Sequence, residues 1–288
     1  MNKIPRPNVD DCLALASLAA NKKAKSYPHL QASVGLIQQA YAQYEGSSGN
    51  AFTVAAVVIP PLAESHLKAH YKSPPKDLVH IKNLRLGEED LTCPMCGSSH
   101  RGTLDHLLPQ ADYGAFSVFS LNLVPACKCN ILRQDLLKGE GPGERILHPY
   151  FDECLSTRLV RAKFSDLGSI PSISLELCVN SAHPEYAAIA FHVRSIVLRT
   201  AVLRFLSSTW VKLCRKPSLV IRALEANPRS YNALKRVLVK ELRVLDDSHG
   251  GRNNWHSMFV AGLLDRAVLT WLFGRIHSAG RLADGPLI

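Results

Sequence analysis

Two cysteine pairs set the tightest constraint on how this chain can fold. CPMC at 93–96 has the CxxC spacing of a zinc knuckle, and the glycine that follows it lets backbone amides face the thiolates. The pair that should complete a four-thiolate site is CKC at 127–129, a CxC one residue short of the usual spacing. Two thiolates at i and i+2 can reach one ion if the first lies in the turn before a helix and the second is the first helical residue, a geometry strained relative to CxxC. The expectation is therefore a zinc site on Cys93, Cys96, Cys127 and Cys129 with a strained clasp, binding more weakly than a CxxC pair would. His100 and His148 stand as substitutes for one of its thiolates. A redox reading of CPMC lacks the βαβ context such motifs sit in. Cys12, Cys154, Cys178 and Cys214 are isolated in apolar surroundings and read as small core residues.

Between the pairs the sequence runs TLDHLLPQADYGAFSVFSLNLVPACKCN. TLDH and LNLVP read as short strands, and CNILRQDLLKG at 129–139 as a helix ending in glycine. A strand, a long loop, a strand and a helix would bring Asp105, His106 and Asn130 towards one place. Asp105 and the amide oxygen of Asn130 are hard donors of the kind Mg2+ or Mn2+ prefers. A neutral His106 can take a proton from water. Asn130 has a second reading as a helix cap.

LDHLLP, NLVPAC and CN at this spacing, with CPMC upstream, resemble the HNH endonuclease family, whose catalytic unit is the ββα-metal finger. The resemblance covers about residues 93–152. It implies Asp105 and Asn130 as ligands of a catalytic Mg2+ or Mn2+, His106 as general base and Asn122 as the residue that orients it. It also implies Arg133 at the position of a phosphate contact, and a structural Zn2+. LHPYFD at 147–152 is similar to a subset of bacterial HNH proteins of antiphage defence, several of which act beside an ATPase partner. The implied function is metal-dependent phosphodiester hydrolysis, on DNA ahead of RNA. The rivals are a zinc finger that binds nucleic acid or protein without cutting, and a nuclease active only with an ATPase or sensor partner.

The charge fits a polyanionic partner. The formal net charge is +10, and residues 151–288 hold 19 Lys and Arg against 11 Asp and Glu. Any nonspecific grip on nucleic acid is expected from that half. No apolar stretch reaches the ~18–20 residues that span a bilayer, and AFTVAAVVIPPLA at 51–63 is broken by prolines. A cytoplasmic protein without a membrane partner is expected.

The remaining pattern is helical. Helices are expected over 10–24, 30–44, 62–72, 186–213, 217–226, 228–246 and 254–276, with alanines favouring helix over strand at 51–59. Extended segments are expected before 180. KSPPK at 72–76 and GEGPGE at 139–144 mark boundaries. The fold class is thus mainly α with a small α+β insert: an N-terminal helical segment (1–76), a ββα-metal nuclease module with its zinc site (77–152), and a C-terminal helical, basic domain (153–288). His66, His70 and His80 read as surface residues.

Overall fold

A computed structural model describes residues 1–87 and 92–288. The expected lead-in to the cysteines falls in part on residues 88–91, outside the described ones. The chain is mainly helical, with two small antiparallel sheets of two strands each among the described residues.

The N-terminal part holds α1 (Asp11–Ala20), α2 (Val34–Gly46), α3 (Pro61–Lys72) and α4 (Val79–Leu86). Asp10 caps α1 by accepting from the Leu13 amide, and Pro61 occupies the first turn of α3, where its missing N–H costs nothing. No helix forms over 51–59. Pro60 follows Ile59 directly, and a residue before proline is pushed out of the α region. Val54 and Ile59 are buried there from non-helical backbone instead.

The middle consists of β1 (Thr103–His106), β2 (Leu123–Ala126) and the short helix α5 (Cys129–Arg133). β1 and β2 pair antiparallel, Asp105 opposite Val124 and His106 opposite Leu123. The helix is five residues long rather than the eleven expected. Gln134 leaves it at φ 56°, and the chain turns into a hairpin in which Ile146 N–H donates to Leu137 O and Gly139 N–H to Glu144 O.

Beyond lie β3 (Val160–Ser165) and β4 (Ser172–Leu177), then α6 (Tyr186–His192), a π-turn at Val193–Val197, α7 (Val202–Arg215), α8 (Tyr231–Ser248), α9 (Trp255–Leu263) and α10 (Arg266–Ile276). Two of the long helices expected from periodicity are broken. The 186–213 segment bends by 77° after the π-turn, and the 254–276 segment bends by 78°, where Asp265 caps a new helix. Residues 217–226 form two 3-10 turns instead of a helix. No single helix among the described residues is long and apolar enough to cross a membrane.

Two cores organise the chain. In the first, Tyr41 and Tyr44 of α2 pack on Phe116 and Phe119 of the β1–β2 loop, the Tyr41 and Phe119 rings stacked at 4.0 Å. In the second, Trp210 of α7 sits between Phe164 of β3 and Trp271 of α10. The β1–β2–α5 unit therefore shares a core with the N-terminal helices.

The structure corrects several buried-or-exposed assignments. Cys12 and Cys178 are exposed, and Cys154 is half-buried; of the four isolated cysteines only Cys214 is buried. His70 and His80 are buried, and Nε2 of each has a partner, Ser26 Oγ at 3.0 Å and Val118 O at 2.9 Å. A hydrogen-bonded imidazole is cheap to bury.

Candidate metal and catalytic site

The four cysteines converge. Cys93 Sγ lies 3.7 Å from Cys129 Sγ, Cys96 Sγ lies 3.4 Å from Cys127 Sγ, and all four sulfurs are within 4.8 Å of one another. A tetrahedral zinc with bonds near 2.3 Å separates its thiolates by roughly 3.8 Å, so the donor set and its spacing suit Zn2+. The knuckle is a tight turn: Cys93 N–H donates to Ser98 O, Gly97 N–H to Cys93 O, and Gly97 sits at φ 82°. A side chain at Gly97 would meet Asn253 O at 2.1 Å.

The CxC pair reaches the cluster from two elements. Cys127 follows the end of β2 and Cys129 is the first residue of α5, so the turn between them stands in for the missing residue. Backbone amides face the sulfurs: Cys127 N lies 3.4 Å from Cys93 Sγ, and Cys129 N lies 3.3 Å from Cys127 Sγ. Neither histidine substitutes. His100 is exposed, and His148 is engaged with Tyr44 at 3.0 Å.

The C-terminal part grips the knuckle from outside. Trp255 donates its indole N–H to Cys96 O (2.9 Å) and its backbone N–H to Gly97 O (3.0 Å). His192 donates from Nε2 to Met95 O (2.7 Å) and accepts from Leu147 N–H at Nδ1 (2.9 Å). Two adjacent asparagines, Asn253 and Asn254, precede α9. Asn254 does cap α9 through Ser257 N–H, while Asn253 is spent on Leu159 N–H and Thr157 O.

Beside the cluster is an open cleft of about 280 Å3, lined by Asp105, His106, Gln110, Asn130 and Arg133 among others. β1 ends at His106, β2 returns beside it, and α5 carries Asn130 and Arg133. Asn130 is one residue inside the helix, and Lys128 holds the cap position without a side-chain bond, so Asn130 is not the cap.

His106 is buried, with Nε2 2.8 Å from Ser117 O and 2.9 Å from the Gln110 amide nitrogen. A carbonyl oxygen only accepts. Where Nε2–H donates to Ser117 O the neutral ring's lone pair is on Nδ1, and the Gln110 carboxamide then faces Nε2–H with its oxygen rather than its NH2, because one Nε2 cannot donate to the carbonyl and accept from the amide at once. Burial lowers the pKa of the ring, against the opposing pull of the Ser117 carbonyl and Asp105. Tyr71 of α3 meets the imidazole edge-on at 4.2 Å, and the Arg85 guanidinium of α4 lies over the Tyr71 ring at 4.6 Å.

Asn122 is fully buried and is not among the cleft-lining residues. Its Oδ1 accepts from Leu108 N–H (2.8 Å) and its Nδ2 donates to Leu108 O (3.1 Å) and Phe116 O (3.3 Å). It pins the two ends of the loop that carries Ser117, and so acts on His106 through the backbone. Arg133, expected at a phosphate, is 2% exposed; Nη2 donates to His106 O (3.0 Å) and stands 3.9 Å from Asp105 Oδ2. Its Nε–H has no acceptor among the described residues.

Sequence reasoning missed Tyr71, Arg85, Gln110 and Ser117. Gln110, four residues after His106, was the one with a local signal. Tyr71 and Arg85 reach the site only because α3 and α4 pack against the hairpin.

Compared with known proteins, 63 residues of the chain are 38% identical to protein ea31 of Escherichia phage lambda. The match covers 21% of this chain and 21% of that protein, so the shared stretch is about a fifth of either. No family model and no solved structure matches the chain.

Proposed function

We propose that this chain is a metal-dependent endonuclease of the HNH type that hydrolyses phosphodiester bonds in DNA. The observation that carries the reading is one cleft lined by Asp105, His106, Asn130 and Arg133, with the imidazole proton pinned by Ser117 O. A carboxylate, a primary amide, a neutral imidazole and a guanidinium are the groups that phosphodiester hydrolysis uses, and a pure binding finger needs no such set.

In this reading His106 takes a proton from the water that attacks phosphorus. The P–O bond to the 3′-oxygen breaks, leaving a 5′-phosphate and a 3′-hydroxyl. Asp105 and Asn130 are the residues that would hold a divalent cation, which supplies charge neutralisation at the phosphoryl group and leaving oxygen. Arg133 fixes the strand end through His106 O and brings a positive charge to the wall of the cleft, where a phosphate would sit. Zn2+ on the four cysteines would tie the knuckle to the start of α5 and so hold Asn130 in place. The basic C-terminal half supplies the nonspecific attraction to DNA. Service beside an ATPase or sensor partner in phage defence is the proposed context.

The test is nicking of supercoiled plasmid by purified protein with Mg2+ or Mn2+, with EDTA, and with His106→Ala. Cutting that needs the metal and is lost in the variant supports the proposal. Absence of cutting by folded, zinc-loaded protein would sink the stand-alone enzyme.

A further inference from the structure

The helix α8 turns a row of unspent cations outward. Leu234 and Leu238 are buried in the second core and fix which side of the helix faces in. At 3.6 residues per turn, the side opposite them carries Asn232, Arg236, Lys240 and Arg243, all exposed, with Lys235 exposed on the flank. The one acid within 235–243, Glu241, falls on the inner side with the leucines.

None of Lys235, Arg236, Lys240 and Arg243 has an ion pair or a side-chain hydrogen bond among the described residues. Elsewhere in this half arginines find carboxylates: Arg158 meets Asp246 at 2.7 Å, Arg161 meets Glu176 at 2.6 Å and Arg194 meets Glu144 at 2.9 Å. Even Asp247, four residues past Arg243 on the same face, makes no ion pair with it.

The spacing works against the helix by itself. Arg236 and Lys240 are four residues apart and Lys240 and Arg243 three, the separations at which helix side chains are neighbours, and like charges there repel. A helix face stabilised by its own charges alternates signs at these spacings. A row of one sign leaves the balance to an external anion.

The class of anion follows from shape. From Arg236 to Arg243 the helix rises about 10 Å at 1.5 Å per residue, against about 3.4 Å per phosphate along one strand of a duplex, so the row meets about three successive phosphates. A membrane surface would need an apolar face beside the charges. The apolar side of α8 is spent in the core, and Val244 is its one large hydrophobic residue that is exposed. A single strand binds by stacking its bases on aromatic rings, and the outer face holds none. Tyr231, the one aromatic residue of the helix, packs on Phe273.

We infer that the outer face of α8 is a docking surface for the phosphate backbone of duplex DNA, with Arg236, Lys240 and Arg243 each on a phosphate. The choice of DNA rests on the nuclease reading; the surface itself does not. Because α8 packs on α9, whose first residue Trp255 holds the zinc knuckle, a duplex held here is joined to the finger through packed helices.

The test is fluorescence anisotropy of a labelled short DNA duplex with the zinc-loaded full chain, without Mg2+ or Mn2+, over a series of salt concentrations. Two triple variants lose the same charge. One combines Arg236→Gln, Lys240→Gln and Arg243→Gln; the other combines Lys22→Gln, Lys23→Gln and Lys25→Gln, three exposed cations of the N-terminal part. Glutamine is a good helix former, so the α8 variant should melt no lower than the unaltered protein. Its binding should weaken about tenfold or more, and its slope of log K against log salt should fall by about 2.7, at about 0.9 per phosphate contact. Lys240→Gln alone should lower the slope by about 0.9. The N-terminal variant should stay within about twofold of the unaltered protein.

Equal weakening in both triple variants, or an unchanged slope in the α8 variant, would overturn the inference. So would no binding by the unaltered protein, tighter binding of the single strand or of an RNA duplex of the same sequence, or capture of phosphatidylserine vesicles through these residues. Nothing is cut in this assay, so the two proposals fail separately. A protein that binds as expected but never nicks plasmid keeps the surface and loses the chemistry. One that nicks, with both triple variants binding alike, keeps the chemistry and loses the surface.

Discussion

Asn122 holds Leu108 from both sides, accepting its N–H at 2.8 Å and donating to its carbonyl at 3.1 Å. Two residues after His106 the chain is thus fixed as firmly as in a ladder pair, though no strand runs there. The amide is itself supported by a relay. Tyr150 N–H donates to His148 Nδ1 (3.2 Å), His148 lies 3.0 Å from the Tyr44 hydroxyl, and that hydroxyl donates to Asn122 Oδ1 (3.3 Å). LHPYFD therefore buttresses the loop that carries Ser117.

Replacing Asn122 with Ala leaves the Leu108 N–H and carbonyl buried without partners. A loss of about 2–4 kcal/mol is expected from two such groups. Urea unfolding measures it. Cutting should fall with it even below the unfolding transition, because Ser117 O is no longer held against His106. Unchanged stability would mean that water replaces the amide.

Arg133 carries a different prediction. Arg133→Lys keeps the charge but cannot serve His106 O, Leu136 O and a phosphate together. The expected result is a folded protein with cutting reduced at least tenfold. Wild-type activity in Arg133→Lys would show that the planar guanidinium is not needed.

One zinc per chain is expected by elemental analysis, falling in Cys129→Ser. Because Trp255 and His192 both bond the knuckle backbone, metal removal should disturb the C-terminal helices as well as the finger. Loss of hydrogen-exchange protection in α9 on chelation would register this. Gly97→Ala should mimic it, since the new methyl would collide with Asn253 O at a positive φ.

His148 sets an acid limit on stability. Burial lowers its pKa to about 3, with Asp152 opposing and Arg145 assisting. Above the ordinary imidazole value of ~6.5 the ring is neutral in both folded and unfolded chains and adds no pH dependence. Between ~6.5 and about 3 only the unfolded chain takes the proton, so stability falls as pH falls, by up to about 1.4 kcal/mol per pH unit. Denaturant titrations at pH 7 and pH 5 should differ accordingly, and the difference should shrink in His148→Asn.

Local spacing made the cysteine cluster and the hairpin legible. Cys127 after the strand and Cys129 as the first helical residue were readable from the CxC spacing together with the strand and helix patterns of LNLVP and CNILR, since that arrangement lets two such thiolates share one ion. Short-range signals also placed α1, α2, α3 and α8, each with caps or breakers in the sequence. Contacts at long range decided the rest. Periodicity reports that a face is apolar and says nothing of where a helix must bend to bury it, so the breaks at 193–201 and 264–265 were invisible. The eleven-residue helix expected at 129–139 gave way to five residues and a hairpin, where Gln134 takes a positive φ. The partners of His106 were hidden for the same reason. Ser117 lies on a loop pinned by a buried asparagine, and Tyr71 and Arg85 arrive on helices some 20 to 35 residues upstream. A sequence can name the groups a site needs, but which carbonyl holds the imidazole proton is fixed by how the first core packs.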